Sequence, residues 1–239
     1  MSSPSLHIEG PVATLTLRRP AEHNRIDPDD PKVILGLLDK VEAAPAVAVL
    51  VITGEGDQTF CSGYTLAQIG SRLDRSFEDM LDRIEAVKVP TLCVMNGSAY
   101  GGGTDLAMSC DFRIGVPGIR MFMPAARFGL HYYPGGLRRF VARLGPTATK
   151  KIFLTGLTLQ AEEMLRIGFL TELVDPADLP RTVQSYVEAI TQCEPEAVAS
   201  MKLHIDQLAQ GTWSEENGRL AYERSLRSAE TASRLATLK

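Results

Sequence analysis

The stretch GSAYGGGTDLAMSCD, residues 97–111, places three consecutive glycines directly before a helix-like segment that carries Asp105. Glycine destabilises a helix, so three of them at a helix start require a reason. The run TLCVMNG at 91–97 leads into them and is typical of a strand buried on both faces. The glycines therefore lie where a buried strand passes into a helix, and they predict a backbone that something approaches too closely for a side chain.

A second stretch of the same kind lies upstream. The β-branched run AVAVLVITG at 46–54 predicts another buried strand, and FCSGYTL at 60–66 follows it. Two glycine-containing loops at the ends of neighbouring strands can present backbone N–H groups to one point, and a helix that begins near Gly102 adds the positive end of its dipole. The pair predicts an oxyanion hole. The alternative is that both are ordinary strand-to-helix turns, because isolated glycine motifs are weak.

The rest of the chain predicts an α/β fold in two parts. Helical spacing at 30–43, an amphipathic helix that starts at a Ser76 cap and a strand at 111–116 alternate with the buried strands, which indicates a layered core. Two short helices, TATKKIFLTG and LQAEEMLRIG, and one last strand, LTELVD, follow. We predict a core over residues 1–180 and a helical region over 181–239 that packs between subunits.

Composition excludes several classes of function. The net charge is −4, with a sequence pI of about 5.6, which argues against a nucleic-acid partner. No apolar run is long enough to cross a bilayer, so no membrane partner is expected, and the N-terminus lacks the pattern of a signal peptide. The four cysteines show no metal-ligand spacing, and their apolar surroundings predict buried, reduced thiols in a cytoplasmic protein. They are Cys61, Cys93, Cys110 and Cys193.

Five segments, taken in order, resemble the crotonase, or enoyl-CoA hydratase/isomerase, superfamily. The resemblance implies a crotonase-like ββα spiral core with a C-terminal helical oligomerisation region, assembled as a homotrimer or a dimer of trimers. It implies an acyl-CoA substrate, with coenzyme A present as part of the thioester and no tightly bound cofactor. The segments are LRRPAEHNRI, VLVITGEGDQTFCSGYTL, VPTLCVMNGSAYGGGTDLAMSCDFRI, PGGLRRFVARLG and LTGLTLQAEEMLRIGFLTELVD.

The resemblance also implies which residues bind the thioester. In that family two loops donate backbone N–H groups to the thioester oxygen, and the matching donors here are Tyr64 and Gly102. A Cβ on the wall of that hole would crowd the oxygen, which must approach the amide nitrogen to about 3 Å. The residues that match the coenzyme A contacts are Asn24, Arg25, Ile26, Gly63, Tyr64, Thr65 and Leu66.

Asp105 matches the position of a glutamate in the hydratases and of an aspartate in the dienoyl-CoA isomerases. This predicts a general acid/base near the acyl carbons. The alternative is that Asp105 complements the dipole at a helix N-terminus. The second acid of those enzymes is missing, because Ala125 follows Pro124 where they carry a glutamate. Hydration uses two groups to hold one water, so the alanine argues against simple hydratase activity.

The loop after that gap carries His131, Tyr132 and Tyr133. Methylmalonyl-CoA decarboxylase has a tyrosine at the position that matches Tyr132, so the loop predicts substrate contacts; the alternative is that all three are packing residues. We therefore favour isomerase or decarboxylase chemistry. Two alternatives stay open: an enoyl-CoA hydratase in which Asp105 works with a Tyr or His partner, and a non-catalytic acyl-CoA-binding paralogue.

Two further expectations concern the second half of the chain. Arg138, Arg139 and Arg143 cannot share one helix face, so we expect them to be exposed or to face another subunit. The family's aromatic and basic C-terminal tail is absent, and Leu235, Leu238 and Lys239 are the candidates to replace it.

Overall fold

A computed structural model describes residues 2–237 and forms two β-sheets surrounded by helices. The strands, β1 to β10 in chain order, are Ser5–Glu9, Val12–Leu17, Val49–Gly54, Thr59–Cys61, Thr91–Met95, Ser98–Tyr100, Phe112–Gly115, Arg120–Phe122, Leu159–Gln160 and Glu172–Leu173. The α-helices, α1 to α10, are Asp30–Glu42, Ile69–Arg72, Arg75–Glu85, Gly102–Met108, Pro134–Thr155, Ala161–Arg166, Leu179–Thr191, Pro195–Gln210, Glu215–Leu226 and Ala229–Ala236. Short 3₁₀ helices span Pro20–Glu22, Leu66–Gln68 and Ala125–Phe128.

The larger sheet has six strands in the order β1-β2-β3-β5-β7-β10. β1 and β2 form an antiparallel hairpin, and every later pair in this sheet is parallel. β3 and β5 lie in the middle, where every residue of β5 is buried. This arrangement confirms the buried strands that the apolar runs predict, because a parallel sheet covered on both faces favours continuous β-branched sequence.

The smaller sheet has the order β4-β6-β8-β9. β4 and β6 are parallel, and both are short extensions of the chain beyond β3 and β5 of the larger sheet. The two glycine-containing loops follow β4 and β6, so this small sheet sets them side by side. Its strands are two or three residues long, and the sequence analysis predicted none of them.

Helices α3 and α5 cover the side of the core where these loops lie. α3 buries Phe77, Met80, Leu81 and Ile84, as its amphipathic spacing predicts. Its N-cap is Asp74, whose carboxylate accepts a hydrogen bond from the Ser76 amide at 2.9 Å, so the predicted Ser76 cap is wrong by two residues. Aspartate caps well because its short side chain reaches the free amides of the first turn. α5 is kinked at Gly145, which precedes a proline.

The C-terminal helices dock on the core at two places. α7 packs on the larger sheet, where the Tyr186 ring meets Phe112 edge-on with centroids 5.2 Å apart. α8 is held by Lys202, whose ammonium group contacts both carboxylate oxygens of Asp111 at 2.5 and 2.6 Å. Apolar side chains on the outer surface of α8 and α9 stay exposed: Met201, Leu203, Ile205, Leu208, Leu220, Tyr222 and Leu226.

Three expectations about this half of the chain have a structural outcome. Cys193 is exposed at the end of α7, so the prediction of four buried thiols holds only for the other three. Leu235 is exposed, while Leu238 and Lys239 lie outside the described residues. None of the helices between residues 2 and 237 has the length and hydropathy needed to span a bilayer.

Candidate active site

A cavity of about 760 Å³ opens beside the two glycine-containing loops. Its walls come from the loop after β4, from α2 and α3, from the start of α4, and from the segment between β8 and α5. Most of the lining is apolar or aromatic, with Phe77, Phe122 and Met123 as examples. An apolar cavity with a few polar groups is typical of a small-molecule site.

Two backbone amides at this cavity have no hydrogen-bond partner within the described chain. Ile26 makes both main-chain bonds of its parallel bridge with the 63–65 loop, to the Gly63 carbonyl and the Thr65 amide, so the Tyr64 amide faces away from it. Gly102 is the first residue of α4, where an amide has no partner inside the helix. Tyr64 and Gly102 both line the cavity, as the sequence predicts.

The three glycines allow these loops to touch. Gly101 has φ +51°, a conformation that residues with a side chain rarely adopt. A Cβ on Gly103 would lie 2.2 Å from the Cys61 carbonyl oxygen, in the other loop. A Cβ on Gly102 would lie 2.7 Å from the Phe77 ring. Crowding comes from the protein itself, so the glycines are needed for loop–loop and loop–helix packing.

Asp105 lies on α4 one turn from Gly102 and is completely buried. Its carboxylate forms two bonds with the Arg139 guanidinium: Nε to Oδ1 at 3.0 Å and Nη2 to Oδ2 at 3.3 Å. Asp105 does not itself line the cavity. The sequence analysis expected Asp105 near the acyl carbons, whereas here it lies behind the cavity wall as one half of a buried ion pair.

Two tyrosine side chains separate Asp105 from the cavity. The hydroxyls of Tyr132 and Tyr133 both donate to Oδ2 of Asp105, the former at 3.3 Å, and the rings stack with centroids 4.4 Å apart. Burial raises the pKa of each phenol well above 10, and the negative charge of Asp105 raises it further. Both tyrosines line the cavity and stay protonated at neutral pH.

The arginines of α5 are not where the sequence predicted them. Arg139 is completely buried, and Arg138 and Arg143 turn toward Glu85 of α3. Burial opposes the charge of Arg139, but the Asp105 carboxylate outweighs that effect, and the pKa of Arg139 is raised. The expectation that all three face solvent or another subunit is therefore wrong, because α3 and α4 supply buried carboxylates that the arginines neutralise.

The predicted coenzyme A contacts separate into two groups. Asn24 and Ile26 are buried, and the Asn24 amide group bonds to the main chain of Arg19, Glu55 and Thr59. Neither side chain lines the cavity, and Ile26 bonds to the 63–65 loop through its main chain, so the prediction for these two residues is restricted to the main chain. Arg25 pairs with Asp27 at 2.8 Å and Thr65 bonds to the same carboxylate, while Leu66 is exposed and lines the cavity.

The cavity also exposes polar residues that the sequence analysis missed. His23 and Arg120 line it near the loop after β4, and Glu78 lines it from α3. His131, which the sequence analysis did select, is exposed and lines the cavity as well. Ala125 lies in the wall at the start of a 3₁₀ helix, and the 121–136 segment carries no carboxylate. One signal was available for Glu78: with Asp82 and Glu85 it forms an acidic face at i, i+4 and i+7.

Two unpaired amides and a hydrogen-bonded cluster of tyrosines and an aspartate thus meet at one apolar cavity. Such a site suits an enzyme that stabilises negative charge on an oxygen and moves a proton nearby. The enoyl-CoA hydratase/isomerase family model matches residues 7–233, and the chain belongs to that family.

Relatives and solved structures agree with this assignment. The short-chain-enoyl-CoA hydratase of Clostridium acetobutylicum is 29% identical over 84% of this chain and 80% of its own length. The crotonyl-CoA hydratase of Syntrophomonas wolfei is 33% identical over 73% of this chain and 70% of its own length. A crystal structure of an enoyl-CoA hydratase/isomerase family member superposes with a TM-score of 0.90 at 24% identity, over 99% of this chain and 93% of that one. The crotonase-type α/β fold with C-terminal helices is confirmed.

Proposed function

We propose that this enzyme binds acyl-CoA thioesters with the thioester oxygen between the amides of Tyr64 and Gly102, and that it stabilises the enolate there. The unpaired state of both amides at one cavity supports the proposal. Removal of one such donor costs about 3–4 kcal/mol of transition-state stabilisation in enzymes where it has been measured. Arg120 lies at the same cavity and supplies positive charge for the phosphates of coenzyme A.

The reaction that the site supports best is loss of carbon dioxide from a 2-carboxyacyl-CoA thioester. The bond between the α-carbon and the carboxylate breaks, and its electron pair forms the enolate whose oxygen the two amides stabilise. The α-carbon then takes a proton from the Tyr133 hydroxyl, which a solvent water restores. This sequence needs an acid and no base. Tyr132 and Tyr133 line the same cavity as the two amides, and this placement carries the proposal; their raised pKa values keep the hydroxyls protonated.

Isomerisation of an enoyl-CoA double bond is the second candidate. It begins with removal of a proton from carbon, and neutral tyrosine is a poor base. The hydrogen bond from Tyr133 to Asp105 offers a relay, in which Asp105 takes the tyrosine proton as Tyr133 takes the carbon proton. The ion pair with Arg139 opposes this step, since transfer of a proton to Asp105 would leave the buried Arg139 without this charged partner.

Hydration ranks third, although both curated relatives described above are named hydratases. The loop that carries the second acid of hydratases has alanine at 125, which can neither hold nor activate water. A tyrosine or histidine partner for Asp105 would have to replace it. A non-catalytic role as an acyl-CoA-binding protein would show as binding without turnover of any substrate.

A panel of thioesters separates these reactions by mass. Malonyl- and methylmalonyl-CoA, 3-enoyl-CoA and crotonyl-CoA are each incubated with the enzyme, and the products are read by mass spectrometry and ultraviolet absorbance. Loss of carbon dioxide supports decarboxylation, an absorbance change at constant mass supports isomerisation, and gain of water supports hydration. Tyr133→Phe should lower decarboxylation by about 10²–10⁴ if its hydroxyl is the proton donor. Tyr186→Phe, at the far side of the larger sheet, is the matched control, and equal activity of both variants would exclude the role.

We also propose that the protein forms a homotrimer or a dimer of trimers through its C-terminal helices. The exposed apolar side chains of α8 and α9 support this, because single copies rarely leave such a surface in water. Light scattering at micromolar concentration tests the assembly, and a monomeric mass would count against it.

A further inference from the structure

We infer that Glu78 recognises a hydrogen-bond donor, a hydroxyl or an ammonium group, on the acyl part of the thioester. Glu78 lies on α3 and lines the same cavity as Tyr133. It is half-buried, and nothing in the family resemblance assigns it a role. The inference rests on the proposed binding of acyl-CoA in this cavity and does not depend on which reaction follows.

Glu78 differs from the other acids of its helix face. Asp82 and Glu85 are both paired with arginines of α5: Asp82 contacts Arg139 at 2.5 Å, and Glu85 contacts Arg138. Glu78 forms no ion pair with any residue in the 2–237 span. A carboxylate in a largely apolar cavity is costly unless a donor satisfies it.

Only one of its carboxylate oxygens has a protein partner. Oε1 accepts a hydrogen bond at 3.1 Å from the Gly135 amide, in the first turn of α5, where a negative charge is favourable. Among the described residues, no donor reaches Oε2. One oxygen therefore holds the side chain in place, and the other is available in the cavity.

The position of Glu78 places that oxygen at the acyl end of the cavity. Glu78 bonds to Gly135, which follows Tyr133 by two residues. The Tyr133 hydroxyl in turn bonds to Asp105, which lies one helical turn after Gly102. The predicted coenzyme A contacts belong to other segments, residues 24–26 and the 63–66 loop, whereas the described hydrogen bond of Glu78 is to Gly135. The aromatic ring of Phe77 adjoins Glu78 in sequence and lines the same wall. A cation or hydroxyl on the acyl chain would meet a carboxylate and an aromatic ring together.

Affinity for pairs of acyl-CoA thioesters with equal numbers of non-hydrogen atoms tests the inference. The pairs are butyryl-CoA with 3-aminopropionyl-CoA and pentanoyl-CoA with 4-hydroxybutyryl-CoA, measured by calorimetry. In the unmodified protein the polar member of at least one pair should bind about tenfold more tightly, as expected for a hydrogen bond to a charged acceptor. Preference for the amine identifies a cationic acyl group, and preference for the alcohol identifies a hydroxyacyl group.

Glu78→Gln should bring the preferred pair to nearly equal affinity while the Gly135 contact is kept. Asp79→Asn removes the same charge from an exposed position of α3 and should leave the preference intact. Equal or tighter binding of the alkyl member of both pairs by the unmodified protein would overturn the inference, as would a preference that persists in Glu78→Gln. These ligands cannot lose carbon dioxide, so an enzyme that fails to decarboxylate any substrate can still show the preference. Absence of binding to every thioester would reject the proposed function as well.

Discussion

Asp105→Asn replaces one carboxylate oxygen with an amide nitrogen and preserves the shape of the side chain. The guanidinium of Arg139 stays completely buried, and the two hydrogen bonds that it donates to residue 105 are altered. Arg139 keeps its contacts with Asp82 at 2.5 Å and with Glu85 at 3.4 Å. The variant therefore tests whether the buried carboxylate is needed to neutralise Arg139.

The expected loss of stability follows from the partners that remain. Breaking a buried ion pair by removal of one partner costs about 3–5 kcal/mol. The remaining contact of Arg139 with Asp82 favours the lower end of that range, because it still neutralises the guanidinium. The new amide N–H₂ group faces donors from Tyr132, Tyr133 and Arg139, so it adds the cost of an unsatisfied polar group. We expect the free energy of unfolding to fall by about 3–4 kcal/mol.

Urea unfolding, followed by circular dichroism at a fixed protein concentration, measures this loss. Asp79→Asn, at a half-exposed position on α3, is the control and should change the free energy of unfolding by less than about 0.5 kcal/mol. Combining Asp105→Asn with Arg139→Met removes both charges and should restore at least half of the loss, because a buried pair is often replaceable by apolar groups. A loss below about 1 kcal/mol in Asp105→Asn would refute the idea that Arg139 depends on this carboxylate.

The remaining predictions concern the cavity. The pKa of Tyr133 is raised above 10, so we expect the proton-donating form to persist, and the decarboxylation rate to stay constant, to at least pH 10. A rate that falls between pH 7 and 9, and that no longer depends on pH in Tyr133→Phe, would contradict this. Raised folded-state pKa values also mean that stability from the tyrosine pair is present below pH 10 and is lost as the pH rises further, which thermal melting at pH 8 and 11 can check. Gly102→Val places a side chain against the far end of the Phe77 ring, and we expect a protein that is folded by circular dichroism with turnover reduced at least about 10²-fold; full activity on the true substrate would exclude Gly102 as a donor. Ala125→Glu should raise the rate of crotonyl-CoA hydration, and efficient hydration by the unmodified protein would contradict the role given to the alanine.

Much of the fold follows from sequence because the larger sheet is buried on both faces. The runs at 46–54 and 91–97 are largely apolar, which is typical of a strand covered on both faces, and they contain β3 and β5. The smaller sheet left no comparable pattern. Its strands are two or three residues long and are fixed by their neighbours, as in Thr59–Cys61 and Ser98–Tyr100.

The sequence indicates where the two backbone loops of the site lie better than it indicates where the charged side chains lie. The two glycine-containing loops are visible in one sequence because their glycines have a steric cause, whereas the choice of Tyr64 and Gly102 as the donors comes from the family resemblance. The partner of Asp105 lies 34 residues away on another helix, and no local pattern links Arg139 to it. Helix spacing shows which residues of α5 share a face but not which face the core covers. Arg139 was therefore placed in solvent when it lies in the core.

The pairing of β4 with β6 has a consequence for how this family can change its chemistry. Adjacent strands of a sheet lie about 4.8 Å apart, and β4 and β6 pair in parallel just before the two loops that end in the free amides. Main-chain hydrogen bonds of this pairing therefore fix the strand ends from which the two loops start, and side chains of the wall take no part in them. Ala125 and Glu78 lie on other elements of the wall. A change at such a position can then alter the chemistry that the cavity supports and leave the backbone of the two loops in place.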